Sequence, residues 1–259
     1  MTFSEAQLNL WLAGFIWPFI RIAAMVTAAP IFNSRQTPVI YRLGLVLALT
    51  WVTMPLLPPP PVVSLFSHQA LMLLLQQLAV GLIMGFILQL VFGGLVFGGQ
   101  VVAYSMGLGF ASMMDPQNGV QVPVVSQFYL ILATLLFLVL NGHLILIDLL
   151  FRSFYTFPVG VDGISRSSLS EIVGWGSHLF GAGLLMALPV MAALLLVNLG
   201  MGIVTRAAPQ LNIFAVGFPI TMLIGFALIW ATLPNVMENF EVFLDAGFAL
   251  IKGLLRITG

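Results

Sequence analysis

The sequence contains no cysteine and very few charged residues. None of its 259 residues is cysteine, which excludes disulfides, thiolate metal sites and dithiol redox chemistry. Only 6% of the residues are charged, whereas an ordinary soluble domain has about 25%. Eight lysines and arginines balance eight acidic residues, so the net charge is zero and gives no electrostatic case for binding nucleic acid.

Hydrophobic residues make up 61% of the chain, and the mean hydropathy is +1.13. Runs such as "LILATLLFLVL" are apolar on both faces and lack the period-2 alternation that an outer-membrane barrel requires. Several uncharged runs reach the roughly 20 residues that a helix needs to cross a bilayer. The sequence therefore predicts an all-α, polytopic helical membrane protein with about six hydrophobic helical segments. Because Glu5 precedes the first run and no basic region does, we expect no cleaved signal peptide.

Polar joints, charges and prolines divide the chain into six hydrophobic segments. They span residues 8–32, 39–57, about 69–106, 124–151, 172–205 and 211–233. The run "PPPP" at 58–61 must end the second segment, because successive prolines lack backbone donors. Pro18, Pro189 and Pro219 lie inside segments, where proline is tolerated only if neighbours satisfy the freed carbonyl groups. We therefore expect bent helices in dense packing.

The third segment is too long for one perpendicular crossing and is rich in small residues. Gly81, Gly85, Gly94 and Gly98 recur along it, and such spacing allows another backbone to approach closely. Two interpretations follow. The glycines serve ordinary packing inside one helical bundle, or they press this helix against other subunits.

The residues after the sixth segment predict a separate amphipathic helix over 234–259. Asn235 and Glu238 have the spacing of a capping pair at its start. The charged residues fall on one stripe: Glu238, Glu241, Asp245, Lys252 and Arg256. Such a helix either lies at the membrane surface or docks a partner.

Charges inside apolar segments are functional candidates, because they are costly to insert into a bilayer. Arg21, Asp148 and Arg206 qualify. Asp148 and Arg152 are four residues apart and share one helix face, so mutual neutralisation explains them more simply than a proton relay. Lysines and arginines divide almost evenly between alternate loops and do not decide the orientation.

The motifs of common enzymes and metal sites are absent. His68, His143 and His178 do not have the HExxH spacing that places two zinc ligands on one helix face. The sequence contains neither a G-x-S-x-G elbow nor a phosphate-binding GxxxxGK[ST] loop. We expect no enzymatic activity, no metal and no cofactor.

Three stretches resemble signature regions of the FliR/MopE/SpaR family, the export-gate proteins of type III secretion, and above all its flagellar branch. They are "GQVVAYSMGLGFASMMDPQNGVQVPVVSQFY" (99–129), "FLVLNGHLILIDLLFRSFYTFPVG" (137–160) and "RAAPQLNIFAVGFPI" (206–220). The likeness covers nearly the whole chain. One departure is that Gln76 and Gln77 stand where many relatives have a glutamate, so no role is assigned to a charge there.

The resemblance implies a non-enzymatic subunit of a flagellar export gate. Members of the family join several copies each of FliP and FliQ in a helical, cone-like complex in the cytoplasmic (inner) membrane, at the flagellar basal body. With FlhA and FlhB, this complex passes unfolded flagellar subunits across the membrane. The resemblance divides the chain into a FliP-like part (1–171) and a FliQ-like hairpin (172–233), before the C-terminal helix. It also assigns subunit packing to Pro209, Gln210, Leu211 and Asn212.

The loop between the third and fourth segments, 106–123, matches the plug of the closed pore in that family. Its glycines permit unusual backbone angles, its methionines can seal around an irregular neighbour, and Phe110 adds bulk. The alternative is a plain connecting turn. The residues assigned to the plug are Met106, Gly107, Leu108, Gly109, Phe110, Met113, Met114, Asp115 and Pro116.

A secondary transporter of small solutes is the main alternative function. Helices interrupted by glycine and proline often build the midplane binding sites of transporters. The small size of the chain and the lack of a convincing inverted repeat count against it. An intramembrane enzyme is a third and more remote alternative, because its motifs are missing.

Overall fold

The fold was obtained as a computed structural model, which describes residues 5–33, 37–61, 63–64, 67–109, 124–160, 165–208 and 216–257. Over these ranges the chain is helical and contains no β-strand. The helices are α1 (Glu5–Ala28), α2 (Val39–Thr53), α3 (His68–Ser105), α4 (Val124–Val139), α5 (Gly142–Thr156), α6 (Arg166–Ala207) and α7 (Phe218–Leu254). A short 3₁₀ turn, Met54–Leu56, extends α2 up to the proline run.

The helices confirm an all-α polytopic membrane protein. Five of the described helices, α1, α2 with its 3₁₀ extension, α3, α6 and α7, are long and apolar enough to cross a membrane. The α4 and α5 pair forms a sixth candidate span, which is bent by 64°. The predicted number of hydrophobic segments therefore agrees with the structure.

Three helices are much longer than a bilayer is thick. They are α3 with 38 residues, α6 with 42 and α7 with 37. At 1.5 Å per residue they extend about 55 to 63 Å, whereas the hydrocarbon core measures about 30 Å. The ordinary range of helix tilt, up to about 40°, does not fit such lengths into the core. Parts of these helices must therefore lie outside the hydrocarbon layer.

The predicted fourth segment is two helices rather than one. The break falls at Asn141, whose φ of 56° lies in the left-handed region. Asparagine adopts this conformation more readily than most residues. The Asn141 carbonyl accepts hydrogen bonds from the amides of Leu144 and Ile145 at 2.9 and 3.0 Å, and so starts α5. Hydropathy alone does not place this break, because apolar residues continue on both sides of Asn141.

The predicted separate C-terminal helix is the continuation of α7. The helix passes through Pro234 without ending. Asn235 and Glu238 therefore do not cap a helix start, and the Asn235 carbonyl instead accepts from Asn239 Nδ2 at 2.7 Å. Pro219 lies in the first turn of α7, where proline is tolerated. The predicted bend of the sixth span at this residue stays a prediction, because residues 209–215 lie outside the described part of the chain. The amphipathic pattern is confirmed, since all five residues of the charged stripe are exposed.

The connection before the fifth span is shorter than predicted. Arg166 and Glu171 belong to α6, which begins at Arg166. Ser165 precedes it, and its Oγ accepts from the Ser168 amide at 3.0 Å, the usual contact of an N-cap serine.

The chain forms two compact units. The first contains Met1–Leu90, Leu140–Gly174 and Asp245–Gly259, and the second contains Val91–Val139 and Trp175–Leu244. Helices α3, α6 and α7 each contribute to both units. The division expected from the resemblance, after residues 171 and 233, falls inside α6 and α7 and stays a prediction.

Each unit has its own core. In the first, one cluster joins Ala13 and Trp17 of α1 to Ala70 and Leu73 of α3. In the second, Phe92 meets Phe137 and Phe240 edge to face, with ring centroids 5.8 and 5.4 Å apart. These contacts hold α3 against α4 and α7 within the second unit.

Candidate functional site

Arg21 is fully buried in the first unit, where it joins three helices. Its Nε donates to Gln77 Oε1 of α3 at 2.7 Å. One terminal nitrogen donates to the Ser153 carbonyl at 2.9 Å and to Ser153 Oγ at 3.0 Å, and the other donates to the Phe157 carbonyl at 3.0 Å. The guanidinium also lies 4.2 Å from the ring centroid of Phe154. This side chain therefore fastens α1 to α3 and to the end of α5.

The position of Arg21 explains how a buried cation is tolerated among neutral acceptors. Both carbonyls lie at the C-terminal end of α5: that of Ser153 also accepts from the Phe157 amide at 3.0 Å, whereas that of Phe157 lies past the last residue of the helix, where the helix supplies no donors. The helix dipole makes this end partially negative, which favours a cation. Arg21 thus serves as a C-terminal cap of α5, and the Phe154 ring adds a cation–π contact. These roles account for the charge without a proton relay.

Two adjacent glutamines, Gln76 and Gln77, extend the buried network, although no role was predicted for either of them. Gln77 Nε2 donates to Gln76 Oε1 at 2.8 Å, and the same oxygen accepts from the Gly160 amide at 3.1 Å. Both glutamine side chains are buried. Two neighbouring polar residues inside a long apolar segment were the available signal, because buried polar groups need partners.

Asp148 and Arg152 form the predicted ion pair. Arg152 Nε lies 2.8 Å from Asp148 Oδ2, and both side chains are about half exposed, 51% for Arg152 and 53% for Asp148. Such an exposed pair contributes little to stability in water. Arg206 is also exposed, in the last turn of α6, where a cation complements the helix dipole. Arg21 is therefore the only member of this predicted set that is buried.

The four predicted packing glycines face helices of the same chain. A Cβ at Gly81 would lie 2.3 Å from the Arg21 carbonyl oxygen, and one at Gly85 would lie 2.4 Å from Ala28 Cβ, both in the first unit. In the second unit, a Cβ at Gly94 would lie 2.9 Å from the Phe243 ring, and one at Gly98 would lie 2.7 Å from the carbonyl oxygen of another glycine, Gly183. Ordinary close packing inside the chain thus explains these glycines. Contact of this helix with other subunits stays a prediction.

The predicted plug loop begins at a well-defined helix end in the second unit. The Gly107 amide donates to the Tyr104 carbonyl, and the Leu108 amide donates to the Ala103 carbonyl, both at 3.0 Å. Gly107 has a φ of 82°, a conformation that favours glycine. This is the Schellman pattern, which ends a helix and satisfies its last carbonyls. Gly107 therefore terminates α3.

Two further contacts hold this helix end, and sequence reasoning missed both partners. Met106 is fully buried, and its side chain fills the space left by the absent side chain of Gly225 on α7. A Cβ at Gly225 would lie 2.7 Å from both Cγ and Cε of Met106. Asn198 of α6 donates from Nδ2 to the Ser105 carbonyl at 3.2 Å. Met106 is thus engaged within its own chain.

Several predicted site residues lie outside the described part of the structure. In the plug they are Phe110, Met113, Met114, Asp115 and Pro116, and in the packing motif they are Pro209, Gln210, Leu211 and Asn212. Their assignments stay predictions. Of the plug residues, the structure describes Met106, Gly107, Leu108 and Gly109.

Polar groups that could bind an ion or a solute are sparse in the described residues. Over these ranges, no group of three histidine, cysteine, aspartate or glutamate side chains is placed to hold a metal ion. A cavity of about 370 Å³ in the first unit is walled by Trp11, Trp17 and a series of prolines, without a charged residue. A transporter site usually has several precisely placed polar groups, whereas the side chains that line this cavity offer only the indole N–H groups of the two tryptophans.

Comparison with known proteins places the chain in a family. Residues 12–247 match the family described as bacterial export proteins, family 1. The chain is 37% identical to the flagellar biosynthetic protein FliR of Pectobacterium carotovorum subsp. carotovorum, over 98% of this chain and 97% of that protein. It is also 37% identical to FliR of Escherichia coli (strain K12), over 97% and 96%. Similarity to the surface presentation of antigens protein SpaR of Shigella flexneri is lower, 28% over 64% of each chain.

Proposed function

This chain belongs to the bacterial export proteins, family 1, and from that premise we propose that it is a non-enzymatic core subunit of a flagellar type III protein export gate. The observation that carries the proposal is the similarity to flagellar FliR proteins over nearly the full length of both chains. In this role the chain assembles with several copies of FliP and of FliQ. The complex lies in the cytoplasmic membrane at the flagellar basal body. Acting with FlhA and FlhB, it passes unfolded flagellar subunits across this membrane.

The exposed surface of α6 supports the proposal that other protein subunits, and not lipid alone, cover this helix. Large apolar side chains are exposed along it from Leu169 to Val204. This distance corresponds to about 52 Å of helix, and a tilt of about 40° still leaves about 40 Å along the membrane normal. The hydrocarbon core covers only about 30 Å. Neighbouring helices of other subunits provide the cover that lipid cannot.

The loop after α3 plugs the closed pore in this proposal. The described start of that loop supports a refined division of roles. Met106 and Gly107 anchor and end the helix, as their contacts within the chain indicate. The sealing role then belongs to the residues beyond Gly109, including the predicted Phe110, Met113 and Met114.

Native mass spectrometry tests the assembly. The chain is co-expressed with the FliP-like and FliQ-like proteins of the same organism, and each partner is omitted in turn as the control. We expect one discrete complex that contains a single copy of this chain and several copies of each partner. A free monomer or a homodimer in the presence of both partners contradicts the proposal. Solute transport by the purified chain alone would favour the transporter alternative.

A further inference from the structure

Three contacts fix the point at which the chain leaves α3, and all of them lie in the second unit. Gly107 closes the helix in the Schellman pattern. Met106 is held in the space above Gly225 of α7. Asn198 of α6 donates to the Ser105 carbonyl, one of the last carbonyls of α3, which have no donor within the helix. The last turn of α3 is therefore attached to two other helices.

We propose that Gly225 and Asn198 are positioning residues for the plug: they set the place and direction in which the loop leaves α3. This inference rests on the proposed function, because it assumes that the loop seals the pore. Gly225 admits the Met106 side chain between α3 and α7. Asn198 holds the last turn of α3 against α6. Neither residue belongs to the loop itself.

The close contact between Gly225 and Met106 determines what an alanine at position 225 would do. A methyl group there would lie 2.7 Å from Met106 Cγ, which is too close for any real contact. Cγ cannot move away without rotation about the first side-chain bond of Met106. That rotation removes the side chain from its site and leaves the last turn of α3 without its contact to α7. Gly225→Ala therefore shifts the start of the loop, and a shorter residue at 106 relieves the clash.

Substitution of Asn198 by alanine should disturb the structure less than Gly225→Ala. Its side chain is exposed on α6, so alanine there removes the donor to the Ser105 carbonyl and creates no clash. Asn198→Ala therefore loosens the helix end while the fold persists. This variant tests the inference independently if Gly225→Ala fails to assemble.

The experiment measures ion leak in membranes that contain the complex with the FliP-like and FliQ-like proteins. The variants are Gly225→Ala, the double variant Gly225→Ala/Met106→Ala, and Asn198→Ala. Gly253→Ala on α7 and Gly200→Ala on α6 are matched controls, because a Cβ at either position meets nothing within 4 Å. A variant with residues 110–114 replaced by a shorter linker reports whether the loop seals at all. Native mass spectrometry verifies that each complex has the normal subunit copies.

We expect Gly225→Ala and Asn198→Ala to raise the leak several-fold in normally assembled complexes, with the controls unchanged. Met106→Ala in the Gly225→Ala background relieves the clash but also removes the Met106 contact with α7, so it should bring the leak part of the way back towards the parent value. Loss of general stability would not produce this recovery. If both single variants seal normally while the short-linker variant leaks, the positioning role is overturned and the assignment of the loop as the plug stands. Normal sealing by the short-linker variant as well overturns the plug and the positioning role together.

Discussion

Arg21 donates from Nε to Oε1 of Gln77 over 2.7 Å, and both side chains are fully buried. The two residues lie 56 positions apart in the sequence, on α1 and α3. Their contact joins a charge to a neutral acceptor, and the same guanidinium caps the end of α5. The fold of the first unit therefore depends on the shape of the arginine side chain as well as on its charge.

Replacement of Arg21 by methionine should destabilise the chain strongly. The substitution puts an apolar side chain of similar length in its place and leaves Gln77 Oε1 and the Phe157 carbonyl without this donor, whereas the Ser153 carbonyl keeps the Phe157 amide. Each buried unsatisfied group costs about 1 to 3 kcal/mol, so we expect a loss of about 2 to 4 kcal/mol. Thermal unfolding of the detergent-purified protein measures this loss of stability.

Arg21→Lys should also lose stability, because the lysine ammonium group lacks the planar fork with which a guanidinium reaches several acceptors at once. Full stability of Arg21→Lys would show that charge alone suffices.

Substitutions at Gln77 should separate polarity from charge. Gln77→Leu removes the acceptor for Arg21 Nε and the donor to Gln76, and should cost about 1 to 3 kcal/mol. Gln77→Glu also loses the donor to Gln76, but it keeps the acceptor and adds a negative charge beside the guanidinium, so we expect a net effect on stability close to zero. The same thermal unfolding series tests both variants. A Gln77→Glu protein as unstable as Gln77→Leu would contradict the network described here.

The sequence predicted the long elements well and the buried network poorly, for a physical reason. The third hydrophobic segment was predicted at about 69–106 and the helix spans His68–Ser105, because a run of apolar residues must be helical in a membrane. The acceptors of Arg21 come from positions 56, 132 and 136 residues away. Local patterns carry no information about such distances. Arg21 could be selected as a candidate, but its partners could not.

Close packing of α1 against α3 should make Gly81 intolerant of alanine. The added Cβ would meet the Arg21 carbonyl oxygen at 2.3 Å, a backbone atom that cannot move independently of α1. Overpacking of this kind costs about 1 to 3 kcal/mol, and here it also displaces the buried arginine. The midpoint of thermal unfolding is the readout.

Gly44→Ala is the matched control for Gly81→Ala. A Cβ at Gly44 on α2 meets nothing within 4 Å, so alanine should raise helix stability by up to about 1 kcal/mol. The same glycine-to-alanine substitution should thus lower the unfolding midpoint at Gly81 and raise it at Gly44. Equal effects would show that helix propensity, and not the α1–α3 contact, governs both positions.

The end of α7 should be stabilised by a glycine. Arg256 has a φ of 54°, and the amides of Arg256 and Ile257 donate to the carbonyls of Gly253 and Lys252 at 3.2 and 2.9 Å. A non-glycine residue in this conformation costs about 1 to 2 kcal/mol, which exceeds the few tenths that an exposed cation contributes at a helix end. We expect Arg256→Gly to gain about 0.5 to 1 kcal/mol in thermal unfolding. Arg256→Ala removes only the charge and should give no gain.

The helix ends also show where sequence patterns mislead. Pro234, Asn235 and Glu238 look like the start of a helix, yet α7 runs through them because a proline inside a long helix costs only local hydrogen bonds. Asn141 looks unremarkable, yet its left-handed conformation divides a span into two helices. The backbone angle at one residue, Asn141, ends a helix where hydropathy shows no boundary.

Shortening the loop after α3 should open the closed gate to small ions without preventing assembly. The structure sharpens the design of this experiment, because Met106, Gly107 and Leu108 complete the end of α3 and must be kept. Only residues 110–114 should be replaced by a shorter linker, so that the helix end stays intact and the proposed seal is lost. We expect a higher ion conductance of membranes that carry the variant complex, with unchanged subunit copies. A Gly107→Ala variant provides the contrast, since it strains the helix end at Gly107, where φ is 82°, while it keeps residues 108–123. Unchanged ion conductance of the short-linker complex would show that this loop only connects two helices and does not seal the pore.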